Sequence, residues 1–236
     1  MVWMLIILTI IFVIGLLLYW QLIMAEGAYL GAPLVALLYD WTAERYNRIK
    51  AFDPDLETFT LGLPLANRLS TQPGAMVLDV ATGTARVPQA LFNQRAYHGR
   101  VIGLDRASKM LKVARRDVAD HPNRITFIQA DAMNLPFASN SFPLVTCLEA
   151  LEFLPDPKQG LAELTRVLEP ASPARPQGGW LLFTSRIGWE AYLMPGKTWR
   201  REELLKLLSK FPLESVQVQA WETIYDLVWA QKVIMR

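Results

Sequence analysis

Residues 76–89 read MVLDVATGTARVPQ, and the fold turns on this stretch. The run MVLDV is apolar except for one acid near its end, as suits a strand buried in a parallel sheet. A tight turn of small residues follows, and a helical pattern begins near Thr84. Gly83 permits a positive φ and lets ligand atoms approach the backbone, while Ala81 and Ala85 keep the turn narrow. Thr82 and Thr84 offer hydroxyls, and the next helix begins with backbone N–H groups free for an acceptor. Asp79, at the strand end, puts a carboxylate in the crevice where open α/β sheets bind ligands.

Downstream, RVIGLD at 100–105 is a second strand ending in an acid, 20 residues after Ala85. An acid at that offset accepts hydrogen bonds from the two hydroxyls of a nucleoside ribose. A third run, ITFIQ at 125–129, leads into Ala130-Asp131-Ala132 and sets another acid beside an adenine-sized slot. Turn or cap acids in an unrelated α/β fold are the plain alternative. Further strands are expected at 142–147, 180–184, 215–219 and 225–231, with helices at 86–93, 108–119, 158–168 and 201–210. This alternation predicts an α/β, Rossmann-like, seven-stranded, mostly parallel sheet with right-handed crossovers. Only residues 220–224 separate the last two strands, so the last is expected to run antiparallel at one side. Residues 169–179, EPASPARPQGG, read as a surface loop.

Upstream, residues 1–24 (MVWMLIILTIIFVIGLLLYWQLIM) carry no charged side chain. As a helix they rise about 36 Å, enough for a hydrocarbon core of about 30 Å. Trp3, Tyr19 and Trp20 lie near the ends of the run, where amphipathic rings favour headgroups. A cleaved signal peptide competes with this reading, but it calls for a basic start, and the first Lys or Arg is Arg45. A single-pass transmembrane anchor is expected. Arg45, Arg48 and Lys50, after the span, place the larger part on the cytoplasmic side. Residues 28–39, AYLGAPLVALLY, are too short to span and contain Pro33. Two readings stay open for them: an interfacial helix on the bilayer, or a helix packed on the domain. Residues 40–50 and 57–69 read as helical, separated by the turn-like Phe52-Asp53-Pro54-Asp55. The chain thus divides into an anchor, 1–24, a membrane-proximal helical segment and lid, 25–70, and a main domain, 71–236.

Composition narrows the function. Lys and Arg number 24 against 22 Asp and Glu, so the net charge of +2 gives no electrostatic case for nucleic acid as a partner. With 52% hydrophobic and 19% charged residues the chain is not a disordered polyelectrolyte. The single cysteine, Cys147, excludes an intramolecular disulfide or a thiolate cluster, and two histidines, His98 and His121, exclude a histidine-rich metal site. No metal is expected.

The stretches VLDVATGTAR, VIGLDRASKMLKVA, FIQADAMNLPF, FPLVTCLEALEFLPD, ELTRVLEP…GGWLLFTS and YDLVWAQK span roughly residues 74–232. Together they resemble the class I S-adenosylmethionine-dependent methyltransferases, of the broad kind that includes the ubiquinone- and menaquinone-biosynthesis enzymes. The resemblance implies S-adenosyl-L-methionine as cofactor and methyl transfer as the reaction. It places Asp79 near the methionine end of the cofactor, Ala81, Thr82 and Gly83 against it in the first loop, and Asp105 on the ribose. Arg106 or Ala107 would flank the adenine, Asp131 would accept from its amino group, and Ala132 would lend a backbone N–H. Met110 and Leu135 would support these loops. Tyr39 and Tyr46 resemble aromatics that cover the cofactor and approach the substrate. Two departures stand out: Ala81 and Ala85 replace two of the usual three glycines, and ASPARPQ is inserted before Gly178-Gly179.

Methyl transfer asks mainly for alignment and exclusion of water, since the cofactor carries the activated methyl. Glu149 and Glu152 are the candidates for a base, with Glu149 the better placed and a helix-start acid its plain alternative. Arg186, Trp189 and Tyr192 are expected to line the acceptor pocket. Cys147 reads as core, and His98 and His121 as surface residues. An anchored domain favours a small, hydrophobic or lipid-like, membrane-soluble acceptor, or equally serves a partner complex. Two rivals remain: a membrane-tethered, non-catalytic module, motivated by Ala85, and an NAD(P)-dependent oxidoreductase. The latter needs glycines where Ala81 and Arg86 stand.

Overall fold

The computed structural model describes residues 1–172 and 178–233. The expected loop at 169–179 therefore has its central part, 173–177, outside the described residues. Among the described residues, β1 (Met76–Val80), β2 (Arg100–Asp105), β3 (Ile125–Gln129), β4 (Leu144–Cys147), β5 (Trp180–Arg186), β6 (Leu213–Trp221) and β7 (Tyr225–Lys232) form one sheet. Its order is β3-β2-β1-β4-β5-β7-β6. β1 to β5 pair in parallel, and β7 runs antiparallel to both β5 and β6. The order reverses between β1 and β4, which opens a crevice at their carboxyl ends.

The period of two along each strand sorts the core. Leu78, Val145, Leu181 and Val228 face Leu161, Leu164 and Val167 of α8 (Pro157–Val167) and Leu204 and Leu208 of α10 (Arg201–Leu208). Their neighbours Val77, Leu144, Leu182 and Trp229 face the other way. There they meet Leu65 of α5 (Leu63–Arg68) and Val87, Ala90 and Leu91 of α6 (Arg86–Phe92). α7 (Ser108–Asp117) buries Met110, Leu111, Val113 and Ala114.

The bounds of β4, β5, β6 and, by one residue, β7 differ from expectation. β4 begins at Leu144 because Pro143 has no N–H for the ladder, leaving Phe142 as an isolated bridge to Leu168. β6 extends over both expected ends, with a register shift between Glu214 and Gln217 where Ser215 adopts φ 52°.

The chain before the sheet is helical: α1 (Val2–Tyr19), α2 (Ala32–Thr42), α3 (Tyr46–Lys50), α4 (Pro54–Glu57) and then α5. α1 continues through a wider turn at Trp20–Met24, giving 23 residues, the most apolar 18 of them with mean hydropathy 2.8, long and apolar enough to cross a membrane. α2 packs on α7 and over the crevice. Asp40 caps α7 from across this contact, accepting from the Lys109 amide at 2.7 Å, where the helix's own preceding residue, Ala107, has no side chain to do so. After β5, Gly188 (φ 78°) turns the chain outward into α9 (Gly188–Tyr192).

Candidate active site

A cleft of about 730 Å³, counting its open mouth, lies at the carboxyl ends of β1, β2 and β3 under α2. A smaller space of about 360 Å³ extends it past Asp79, Thr82 and Thr84 toward Arg86. Ala81, Gly83 and Glu149 border both.

The first loop is shaped by left-handed backbone at three alternate positions: Ala81 at φ 56°, Gly83 at 55° and Ala85 at 69°. A side chain at Gly83 would stand in open space at the cleft wall, so glycine there keeps room for a ligand against the backbone. Ala85 is fully buried, and its methyl packs with Ala114, Val118 and the rings and chains of β3, away from the cleft. The Ala85 methyl is thus part of the core.

Asp105 is fixed by the loop it faces. Its two oxygens accept from the Gly83 and Ala107 amides, both at 2.8 Å, and burial raises its pKa despite these donors. Each oxygen keeps a lone pair for a hydroxyl donor in the cleft. Asp131 accepts from the Met133 amide at 2.9 Å and is ion-paired with Arg106, both half-exposed at the cleft rim. Ala132, Met110 and Ala107 complete this apolar end, while Leu135 lies in the core behind it. Asp79 is buried with one oxygen on Thr82 Oγ1 and the other on Thr146 Oγ1, each at 2.6 Å. Burial pushes its pKa up to about 6, the two hydroxyls opposing that rise.

Tyr39 and Tyr46 come to the cleft from above, their ring centroids 5.9 Å apart, with Phe153 against Tyr39. Tyr39 donates to Glu26 at 2.7 Å; burial, then the Glu26 charge, hold the phenol well above its ordinary pKa.

Glu149 borders the cleft with both oxygens committed, one to Lys50 at 2.6 Å and one to Arg86. A carboxylate so engaged bridges two cations through charge-assisted hydrogen bonds. Arg186, Trp189 and Tyr192 are not brought to the cleft. β5 runs two residues past the expected Thr184, so Arg186 ends inside the protein, bonded to Glu152, Glu190 and the Tyr225 hydroxyl. The turn at Gly188 then carries Trp189 and Tyr192 outward; Trp189 lies beside α1 and Tyr192 borders a separate groove. Glu152 is buried in the Arg186–Tyr225 network. Cys147 is in the core, and His98 is exposed. His121, expected at the surface, is half-buried against the Phe92 ring.

Arg86 escaped the sequence reading as a site residue. Its guanidinium bonds Glu57, Glu149 and Glu222 and lies over the rings of Phe52 and Trp221. Burial opposes its charge, but these carboxylates outweigh that and raise its pKa above the ordinary guanidinium value. The signal was present: a cation at the first position of a helix opposes the macrodipole and needs carboxylates from elsewhere.

A family model described as a methyltransferase domain matches residues 78–173. The chain is 34% identical over 158 residues to the demethylmenaquinone methyltransferase of Desulfitobacterium hafniense (strain Y51), covering 61% of this chain and 62% of that one. It is 43% identical over 97 residues to the same enzyme of Staphylococcus haemolyticus (strain JCSC1435), covering 41% and 40%. The chain thus spans less than two thirds of the length of these curated relatives. Among solved structures, a SAM-dependent methyltransferase from Aquifex aeolicus superposes with TM-score 0.54 at 21% identity, over 77% of this chain and 100% of that one. The [4+2]-cyclase SpnF superposes with TM-score 0.67 at 16% identity, over 87% and 97%, so the fold is shared more widely than one reaction. Sheet order and first loop give this chain the Rossmann-like fold of the class I S-adenosylmethionine-dependent methyltransferases. Its sequence matches a methyltransferase domain over residues 78–173 and is similar to demethylmenaquinone methyltransferases.

Proposed function

We propose that the chain moves the methyl group of S-adenosylmethionine to a small, lipid-related acceptor of the menaquinone-precursor kind. The observation that carries this reading is a pair of adjoining spaces, one bordered by Asp131 and Asp105 under Tyr39, the other by Asp79, which share Tyr46, Ala81, Gly83 and Glu149 as walls. Asp105 would accept from the ribose hydroxyls, and Asp131 with Ala132 would meet the adenine beside Arg106. Asp79, held by Thr82 and Thr146, would face the methionine amino group across Ala81 and Gly83. The cofactor supplies an activated methyl, so the protein's part is alignment and exclusion of water. Val35, Tyr39, Tyr46 and Phe153 form the apolar roof that excludes it. Glu149, tied to Lys50 and Arg86, holds that roof to the domain and is a positioning residue in this reading.

In the same reading residues 1–24 anchor the domain in a membrane, residues 25–70 form the roof, and residues 71–236 bind the cofactor. Arg45, Arg48 and Lys50, following the apolar helix, favour a cytoplasmic domain. Anchoring raises the local concentration of an acceptor dissolved in the bilayer.

The full chain is titrated calorimetrically with S-adenosylhomocysteine and with NAD, then given methyl-labelled S-adenosylmethionine and membrane extracts. Binding of the first ligand only, with label in the lipid phase, is expected. Label confined to the aqueous phase overturns the acceptor class, and binding of NAD alone overturns the reaction. A second reading, cofactor binding without transfer, is favoured by the engagement of both Glu149 oxygens. Binding without any methylated product would establish it.

A further inference from the structure

α2 is apolar on two opposite sides, and only one of them is used. Ala32, Val35, Ala36 and Tyr39 border the cleft. Pro33, Leu37 and Trp41, at every fourth position on the other side, are exposed, Leu37 at 62% and Trp41 at 73%, with Leu30 just before them at 54%. This outer stripe lies uncovered, although the first eight residues of α2 carry no charge. A helix apolar all round belongs under cover.

The cover is indicated by what adjoins it. α1, none of whose residues is buried, ends six residues before Leu30, counting its continuation to Met24. It is pinned to the body there: Trp20 Nε1 donates to the Leu193 carbonyl, Tyr29 Oη to the Pro195 carbonyl, each at 2.9 Å, and the two rings lie 5.2 Å apart. Ala25, Ala28, Val35, Phe153 and Met194 pack together beneath this junction, tying it to α2 and to the roof of the cleft. Trp189 and Leu193 also border an apolar groove along Val13, Leu16 and Leu17 of α1. Beyond the stripe come exposed Arg45 and Arg48, the charges that anionic headgroups attract, while the nearby Glu44 is paired with Arg116.

We propose that the outer stripe of α2, Leu30, Pro33, Leu37 and Trp41, rests in a lipid surface. The roof of the cleft is then the protein's second membrane contact, and an apolar acceptor enters beside α2 without crossing water. This rests on the reading of α1 as an anchor, and the test separates the two.

Cys147 is buried, and burial also raises its pKa, so an introduced exposed cysteine takes a nitroxide label selectively. Full-length Leu37→Cys, Ile11→Cys and Gln219→Cys variants are labelled and placed in phosphatidylcholine–phosphatidylglycerol vesicles. Binding of S-adenosylhomocysteine serves as the check of folding. Oxygen and an aqueous nickel chelate then compete to relax each label. The expected result is several-fold preference for oxygen at positions 11 and 37 and for nickel at 219, on the edge strand. Hydrocarbon at 11 with water at 37 overturns the docking face and leaves the anchor standing. Water at 11 overturns the anchor and the docking face with it. Dipolar broadening between labels at 37 shows that a second copy covers the stripe, and overturns the proposal as well.

Discussion

The Asp105 carboxylate accepts a hydrogen bond from the Gly83 amide at 2.8 Å, so the acid that ends β2 is locked to the loop that ends β1. Two strand ends therefore act as one rigid wall, with the remaining lone pairs of the acid facing the cleft. Preorganisation of this kind lowers the cost of ordering a bound nucleoside.

Asp105→Ala is expected to weaken S-adenosylhomocysteine binding about 10- to 100-fold, the worth of hydrogen bonds to a charged acceptor at about 1.5–3 kcal/mol. Titration calorimetry measures it. An unchanged affinity would remove Asp105 from the binding surface.

The loop residues separate binding from stability. Gly83→Ala puts a methyl at the cleft wall and carries a left-handed cost of about 1–2 kcal/mol, so affinity falls more than about tenfold with a modest loss of stability. Ala85→Gly relieves a similar backbone cost while vacating a methyl-sized space in the core. It is expected to stay within about 1 kcal/mol of the parent and to bind cofactor equally well. Ala85→Val combines a β-branched side chain at positive φ with overpacking and should lose about 2–4 kcal/mol. Denaturant melts and calorimetry on the three variants test the set.

The pH dependence at Asp79 has a definite sign. Its pKa is about 6 in the folded chain and about 4 in the unfolded one, so between those values the folded state binds more protons. Stability therefore falls as pH rises through this window, by an amount on the order of 3 kcal/mol, and is restored on acidification. Asp79→Asn removes that slope, which the difference between the two melting curves from pH 4 to 8 reads directly. A difference of the opposite sign would mean that Asp79 is stabilised as the anion.

Arg86→Met leaves Glu57, Glu149 and Glu222 without their shared cation. Because Glu57 and Glu149 are buried, the loss is expected at about 3–5 kcal/mol, far above a surface ion pair. Glu149→Gln should alter KM or stability while preserving the shape of the kcat–pH profile. Disappearance of one limb of that profile would make Glu149 a base.

The order of elements was readable because its signals are local. Alternating runs, a glycine-bearing turn after β1 and acids at the ends of β1 and β2 depend on residues a few positions apart, and β1 and β3 begin and end where the pattern placed them. Pro143 shows the limit: one missing N–H moved the start of β4, an effect visible in the residue but subordinate to the apolar run.

The sheet, its crevice and the carboxylates of Asp79, Asp105 and Asp131 in it follow from local pattern alone, since strand periodicity and turn chemistry act within a few residues. Which charges meet was settled by long-range packing, because Arg86 finds Glu57, Glu149 and Glu222 from three separate segments, and burial, not spacing, demands that pairing. Such packing likewise decided the place of α9 and of Ala85. Whether a side chain faces a cleft, a core or solvent depends on what the rest of the chain packs against it.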